Sequence, residues 1–326
     1  MSDFIATNLP KFTSLFTAMA AFFIILAVIF VVAGLANGKK ARPIALLVFL
    51  TPALLLLLAG LVIPTGRTIL FSFMNPNSDG FVGLENYAWI ATDPGVRTVL
   101  FNTALWTILT PLFTTALGLY LAVMLDRMRG ESIPKSLIFM PMAISFVGAS
   151  IIFKFMYEYR DPGEAQIGLI SAIVQAIGFG PSNWLLVKPL NTLLLMVVFI
   201  WTQTGFAMVI LSAAIKGVPA DVLEASALDG ATGWKLFRGV TFPMVRTTFV
   251  VVLATMVVAS LKLFDIVRTM TGGNFGTSVL ANEMYSQIFV QFDAGKGSAL
   301  AVMLFLSVTP IFIYNIRSLK RERSNK

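Results

Sequence analysis

The chain alternates between long apolar stretches and short polar segments that contain glycine or proline. A helix that crosses a bilayer needs about 20 mostly apolar residues. Seven stretches reach that length, at residues 13–36, 44–66, 99–125, 135–156, 190–214, 247–269 and 298–316. The pattern predicts an all-α, polytopic membrane protein with about seven transmembrane helices, and Met140-Pro141-Met142 predicts a kink in the fourth.

The composition agrees with a membrane protein and argues against several classes of function. Hydrophobic residues make up 57% of the 326 residues, and charged residues make up 12%, about half of the ~25% found in soluble domains. The chain has no Cys and no His. It therefore lacks thiolate nucleophiles and Cys-based metal sites, and it lacks the side chain that most often acts as a general base or a metal ligand. We therefore expect no catalytic residue, no metal site and no cofactor in this chain, and no nucleic-acid partner.

The distribution of charge predicts the orientation in the membrane. Only Lys11 precedes the first apolar stretch, whereas three basic residues follow it at 39–42, which favours a retained first helix with its N-terminus outside. Alternation from there gives four inside segments with a net charge of +9, against −1 for the remainder. This bias follows the positive-inside rule and places the C-terminus inside. The inside segments are 37–43, 126–135, 215–246 and 317–326.

The inside segment 215–246 has the pattern of two short helices joined by a turn. Pro219 suits the first position of a helix, and Gly230 suits a left-handed residue that ends it. Thr232 is a good cap for a second helix, and Pro243 is expected to end that helix and open the next span. Four large apolar side chains need cover, either from the protein and the membrane surface or from a partner: Leu223, Leu228, Trp234 and Phe237.

The spacing within this segment resembles the EAA loop of ABC-importer permeases. Glu224-Ala225-Ser226 is followed by three residues, Gly230, nine residues and Val240-Thr241-Phe242-Pro243. The family pattern is Glu-Ala-Ala, three residues, Gly, nine residues and Ile-x-Leu-Pro. Ser226, Val240 and Phe242 depart from it, while the Glu, the Gly and the Pro are in register.

Other stretches resemble the permease core of carbohydrate importers over about 80–316. They are Gly83-Leu84-Glu85-Asn86-Tyr87, Asn102-Thr103, Lys262-Leu263-Phe264-Asp265 and Met270-Thr271-Gly272-Gly273. The N-terminal part is similar to the extra helices of the maltose-, glycerol-phosphate- and alpha-glucoside-type subfamily.

The resemblance implies a type I ABC-importer permease core with a cytoplasmic coupling helix. The implied organisation is extra transmembrane helices at 1–75, an external loop at 76–97, the core at 98–316 with its coupling loop at 217–243, and a basic cytoplasmic tail at 317–326. It also implies a bacterial or archaeal cytoplasmic membrane as the location.

In this family the EAA loop docks in a cleft of a separate ATPase. The resemblance assigns that role to Glu224, Ala225, Ser226, Gly230, Trp234, Phe237 and Pro243. The chain has no G-x-x-x-x-G-K-[ST] phosphate loop, so ATP and Mg would be bound by partner subunits. The implied partners are a second, related permease, two copies of the ATPase, an external solute-binding protein and a carbohydrate.

Neutral polar residues inside the spans are candidates for the solute path. Thr103, Thr107 and Thr110 recur at three- and four-residue steps, and Gln203 and Thr204 lie close to Trp201. The alternative is hydrogen bonding within and between helices. Two charged residues near the outer half of the sixth span, Lys262 and Asp265, are expected to form a structural ion pair on one helix face.

Other functions compete with that of a carbohydrate permease subunit. A stand-alone secondary carrier or channel would need coupling charges near the bilayer midplane and no ATPase-docking loop. A membrane enzyme would have to use Asp161, Glu164 or Asp293, which share no motif. An ABC permease for glycerol phosphate, polyamine or another non-sugar solute is also compatible with the sequence.

Overall fold

The computed structural model describes residues 2–35, 42–126, 128–161, 163–180 and 182–324, and this part of the chain is helical apart from connecting segments and one isolated β-bridge. An all-α fold is thus confirmed. Several predicted inside charges lie beyond the described residues, namely Lys39, Lys40, Arg127 and Lys326.

The described residues form fifteen α-helices. In chain order they are α1 (Ser2–Leu35), α2 (Arg42–Leu57), α3 (Ile63–Phe71), α4 (Glu85–Thr92), α5 (Pro94–Leu125), α6 (Ser132–Phe139), α7 (Phe146–Met156), α8 (Leu169–Ala176), α9 (Leu190–Lys216), α10 (Ala220–Leu228), α11 (Gly233–Leu236), α12 (Phe242–Leu261), α13 (Asp265–Met270), α14 (Leu280–Phe289) and α15 (Ala294–Ser324). Two π-helical turns, Leu58–Val62 and Phe237–Thr241, and one 3-10 turn, Met140–Ala143, join neighbouring helices.

Several of these helices are long and apolar enough to cross a membrane. Four continuous segments qualify in the described chain: Phe49–Phe71, Pro94–Leu125, Leu190–Lys216 and Gly233–Leu261. A fifth span arises if the bent pair α6–α7 is counted as one, and shorter apolar helices occupy Lys11–Ile24 and Ala294–Pro310. Each predicted apolar stretch is therefore mostly helical, with breaks inside the fourth and the sixth, while the total of seven spans stays a prediction.

The fourth apolar stretch is broken rather than only kinked. Helix α6 ends at Phe139, and the axes on the two sides of the break differ by 100°. Pro141 has no N–H to donate, so a continuous α-helix through it would lose a hydrogen bond. The Ser145 hydroxyl then accepts a hydrogen bond from the Gly148 N–H at 3.1 Å and starts α7 as a new helix.

Contacts divide the described chain into two units, one up to Arg67 and one from Thr68 onwards. In the first unit α1 packs on α2, with the rings of Phe30 and Phe49 edge to face at 5.9 Å. The second unit contains α4 to α15.

The core of the second unit is built on close contact between α5 and α9. Gly118 of α5 faces Ala207 so closely that a Cβ on it would lie 2.6 Å from the Ala207 Cβ. Trp106 and Phe199, both fully buried, meet edge to face at 6.3 Å on the same pair of helices. Small residues let helix backbones approach in this way, which is how membrane helices gain packing energy.

Candidate coupling surface and solute path

The 217–243 segment leaves the end of α9 and forms a helix, a turn and a second helix. Pro219 directly precedes α10 with extended backbone angles, and α10 ends before Gly230. Gly230 has φ +82°, and the N–H of Ala231 donates to the Ser226 carbonyl at 3.0 Å. This is the left-handed turn that the sequence predicts at Gly230, because only glycine adopts such a φ without strain.

The second helix of this segment does not end at Pro243, so that prediction is wrong. Helix α11 starts after Thr232, whose hydroxyl makes no capping hydrogen bond, and it continues through the π-helical turn into α12. Pro243 lies in the first turn of α12. A proline is tolerated there because the π-helical turn shifts the hydrogen-bond register and the missing N–H is not needed.

Helix α10 exposes acidic and apolar side chains together. Glu224 is exposed and has no ion-pair or hydrogen-bond partner among the described residues, and Ala225 is exposed beside it. Leu228, at the end of the helix, is 90% exposed. Ser226 replaces the second alanine of the family pattern. Its hydroxyl donates to the Val222 carbonyl at 2.7 Å, so the added polar group is satisfied within α10. A surface of this kind suits a partner with a basic and partly apolar cleft.

The predicted anchors Trp234 and Phe237 belong to a different surface. Their rings stack at 5.3 Å, and the aromatic row continues through Phe242 to Phe249 at ring distances of 6.0 and 5.6 Å. Together with one side of α5, including Tyr120, this row lines an apolar groove of about 430 Å³. Glu224, Ala225, Ser226 and Gly230 do not line the groove, so the predicted coupling residues form two groups.

Four charged side chains and one hydroxyl meet where this segment leaves α9, and they were not predicted as a site. We call them the charge network: Asp126, Glu131, Lys135, Ser212 and Lys216. The Lys135 ammonium donates to Asp126, to Glu131 Oε2 at 2.7 Å and to Ser212 Oγ at 2.8 Å, while Lys216 pairs with Glu131. Hydrogen bonds from Lys135 and then Lys216 lower the pKa of Glu131 to about 2.

The hydroxyls of the predicted solute-path threonines bond within their own helices. Each donates to the backbone carbonyl four residues earlier, at 2.8 Å for Thr103, 2.6 Å for Thr107, 2.7 Å for Thr110 and 2.6 Å for Thr204. Thr103 Oγ1 also accepts a hydrogen bond from the Leu280 N–H at 2.9 Å. Gln203 is half-buried and has no hydrogen-bond partner in the described chain.

Two cavities lie along the N-terminal half of α5. Thr103 and Thr107 line a mainly apolar one of about 320 Å³ with Ser307, whereas Thr110, Gln203 and Thr204 do not line it. The structure thus brings two of the five candidates to one cavity. The other cavity, of about 490 Å³, is polar and is lined in part by Trp89, Asn102, Lys188, Glu283 and Gln287. Among these five residues, only Asn102 lies in a stretch that was singled out from the sequence.

The predicted ion pair between Lys262 and Asp265 does not form. Helix α12 ends at Leu261, Lys262 follows as its cap, and Asp265 starts α13. The two residues therefore do not share a helix face, which the prediction required. Arg268 of α13 instead lies over the ring of Tyr285, 4.7 Å from its centroid.

Apolar helices thus surround a close-packed core, and an exposed helix–turn–helix lies between two helices that are long enough to cross a membrane. The chain is 49% identical over 274 residues to the osmoprotective compounds uptake permease protein GgtC of Synechocystis sp., covering 84% of this chain and 98% of that protein. It is 45% identical over 287 residues to the alpha-glucoside transport system permease protein AglF of Rhizobium meliloti, covering 88% and 85%. The chain belongs to the family of ABC transport system permease proteins.

Solved structures support the fold. A bacterial ABC transporter involved in the import of the acidic polysaccharide alginate matches with a TM-score of 0.74 and 18% identity over 86% of this chain and 96% of that one. No family model matches the chain.

Proposed function

We propose that this permease moves a carbohydrate, an oligosaccharide or glycoside, that an external binding protein delivers, and that separate ATPase subunits drive the transport. The observation that carries the proposal is the exposed α10 with its unpaired Glu224 and the left-handed turn at Gly230. Similarity to an alpha-glucoside permease over most of both chains supports the solute class.

In the proposed mechanism α10 inserts into a cleft of an ATPase subunit. Glu224 meets a basic group there, and a charge pair buried by docking contributes more than one left at the rim. The turn at Gly230 sets the angle between α10 and α11, so movement of the ATPase displaces α10 as a unit. ATP and Mg stay on the ATPase, and Gln203, which has no hydrogen-bond partner among the described residues, offers its amide group to the solute.

The proposed orientation, in a bacterial or archaeal cytoplasmic membrane, has the N-terminus outside and the C-terminus inside. Reporter fusions at residues 5, 40, 130, 175, 230 and 324 test it. We expect cytoplasmic signals at 40, 130, 230 and 324 and external signals at 5 and 175, because the inside segments carry the basic excess. An external signal at residue 230 would contradict the coupling role of α10.

The proposed assembly contains this chain once, beside a related but shorter permease. One α10 docks one ATPase, and two ATPases sandwich ATP in ABC transporters, so two permease subunits are needed. The extra N-terminal helices mark the larger member of an unlike pair in the subfamilies that this chain resembles. Mass analysis of the detergent-purified complex should show one copy of this chain, one other permease and two ATPases; an active complex with two copies of this chain would refute the heterodimer.

A further inference from the structure

The charge network joins the ends of three helices at the base of α10. Asp126 directly follows α5, Lys135 lies in α6, and Ser212 and Lys216 lie in the last turns of α9. Among the salt bridges in which both partners are described, three belong to this network, and the fourth joins Lys296 to Asp293. The network is therefore the main electrostatic contact between helices of the described chain.

Lys135 is the centre of the network. An ammonium group has three N–H donors, and here they are directed to Asp126, Glu131 and Ser212. The Ser212 hydroxyl in turn donates to Asp126 Oδ1 at 2.6 Å, which closes a ring between α5, α6 and α9. Only 15% of the Lys135 side chain and 10% of the Asp126 side chain are exposed, so solvent screens these contacts weakly.

The connection from the network to α10 is short and packed. Lys216 is the last residue of α9 and pairs with Glu131. Between it and α10 lie three residues, of which Gly217 donates from its N–H to the Ala213 carbonyl at 3.1 Å and Val218 is only 8% exposed. The short connection therefore leaves little room for α10 to move without also moving the end of α9.

Glu131 keeps its negative charge across ordinary pH. With the pKa of Glu131 lowered to about 2, its ionic contacts are fully present above the usual carboxyl pKa of 4.5 and are lost only as the pH falls towards 2. Two carboxylates face two ammonium groups, so the formal charges of the cluster cancel.

We propose that Lys135 is a positioning residue for energy coupling. By holding the ends of α5, α6 and α9 together at the base of α10, it makes a movement of α10 act on all three helices at once. The inference rests on the proposed function, since it requires an ATPase that moves α10. Without the Lys135 ammonium, α10 would still dock, but its movement would displace the end of α9 without α5 and α6.

The test is the number of solute molecules moved per ATP hydrolysed by the intact complex, purified through a tag on this chain and reconstituted in liposomes. Lys135→Met should leave ATP hydrolysis within about twofold of the unmodified complex and lower the transport ratio about tenfold, within the range typical of coupling between sites. Lys296→Met, which breaks the salt bridge outside the network, is the matched control and should keep the ratio.

Two further variants keep the inference open to refutation if Lys135→Met assembles poorly. Ser212→Ala removes the bridging hydroxyl without changing charge and should lower the ratio about threefold, a weaker case of the same coupling. Lys216→Met removes the ion pair with Glu131 at a position where half of the side chain is exposed, and it should also lower the ratio about threefold.

The transport ratio and its dependence on the ATPase test two separate claims, the role of Lys135 and the proposed function. An unchanged ratio in Lys135→Met and Ser212→Ala, or activities that fall only in proportion to the assembled complex, would overturn the role of Lys135. Transport that needs no ATPase would instead overturn the proposed function, whatever the two variants do.

Discussion

Replacing Gly205 with leucine should remove most of the folded permease from the membrane. A Cβ at Gly205 would lie 2.4 Å from the Ile138 carbonyl oxygen and 2.6 Å from the Phe139 Cα. Both are backbone atoms, so neither can rotate away, and α6 would have to move off α9. Overpacking of a core costs about 1–3 kcal/mol and sometimes more, a large part of the roughly 5–15 kcal/mol that stabilises a folded protein.

The measurement is the amount of monodisperse protein extracted from membranes by a mild detergent. We expect it to fall at least about fivefold, because a loss of only about 1–2 kcal/mol can already change the abundance of a protein several-fold. Gly60→Leu is the matched control, because Gly60 lies in an apolar span and a Cβ there would meet nothing within 4 Å. A normal yield of Gly205→Leu would show that α6 and α9 do not pack as described.

Reversing the charge of Glu224 should abolish solute uptake without affecting membrane insertion. Glu224 is exposed and unpaired in the described chain, so Glu224→Lys removes no internal contact. Against the basic cleft that we propose on the ATPase, the new cation would face like charge, which costs several kcal/mol at an interface. We expect uptake below about a tenth of normal and a comparable loss of ATPase co-purification, since about 1.4 kcal/mol corresponds to a factor of ten in affinity.

Glu164→Lys is the control for this reversal. Glu164 is also exposed, but it lies on the predicted outside, so the same change of charge should leave uptake intact. Gly230→Pro tests the turn independently, because proline holds φ near about −65° and Gly230 has φ +82°. Normal uptake by both Glu224→Lys and Gly230→Pro would refute the coupling role of α10.

Local sequence patterns predicted the features that depend on local chemistry. The apolar stretches are mostly helical because a backbone in lipid must satisfy its own hydrogen bonds, and Gly230 is left-handed because glycine adopts that φ without a steric penalty from a Cβ. The prediction for Pro243 was wrong because the effect of proline depends on its position: it breaks a helix from the interior but is tolerated in the first turn. The π-helical turn that decides between them has no signature of its own.

Contacts between distant residues could not be predicted from the chain alone. Lys135 and Ser212 form a hydrogen bond although they are 77 positions apart in the sequence. From the sequence, Lys135 is only one of many basic residues on the predicted inside. Likewise Trp234 and Glu224 lie close in sequence and were assigned to one docking surface. They separate in the structure because Trp234 belongs to the helical segment that runs on into α12 along α5.

The most direct test of the central claim is uptake of a labelled alpha-glucoside by liposomes that contain this chain and its partner permease, compared with and without the ATPase subunits. ATP is enclosed in both preparations, and the solute-binding protein is added outside. The account predicts uptake only when the ATPase is present, and loss of that uptake in Glu224→Lys. Equal uptake in the absence of the ATPase would contradict it and identify the chain as a stand-alone carrier or channel.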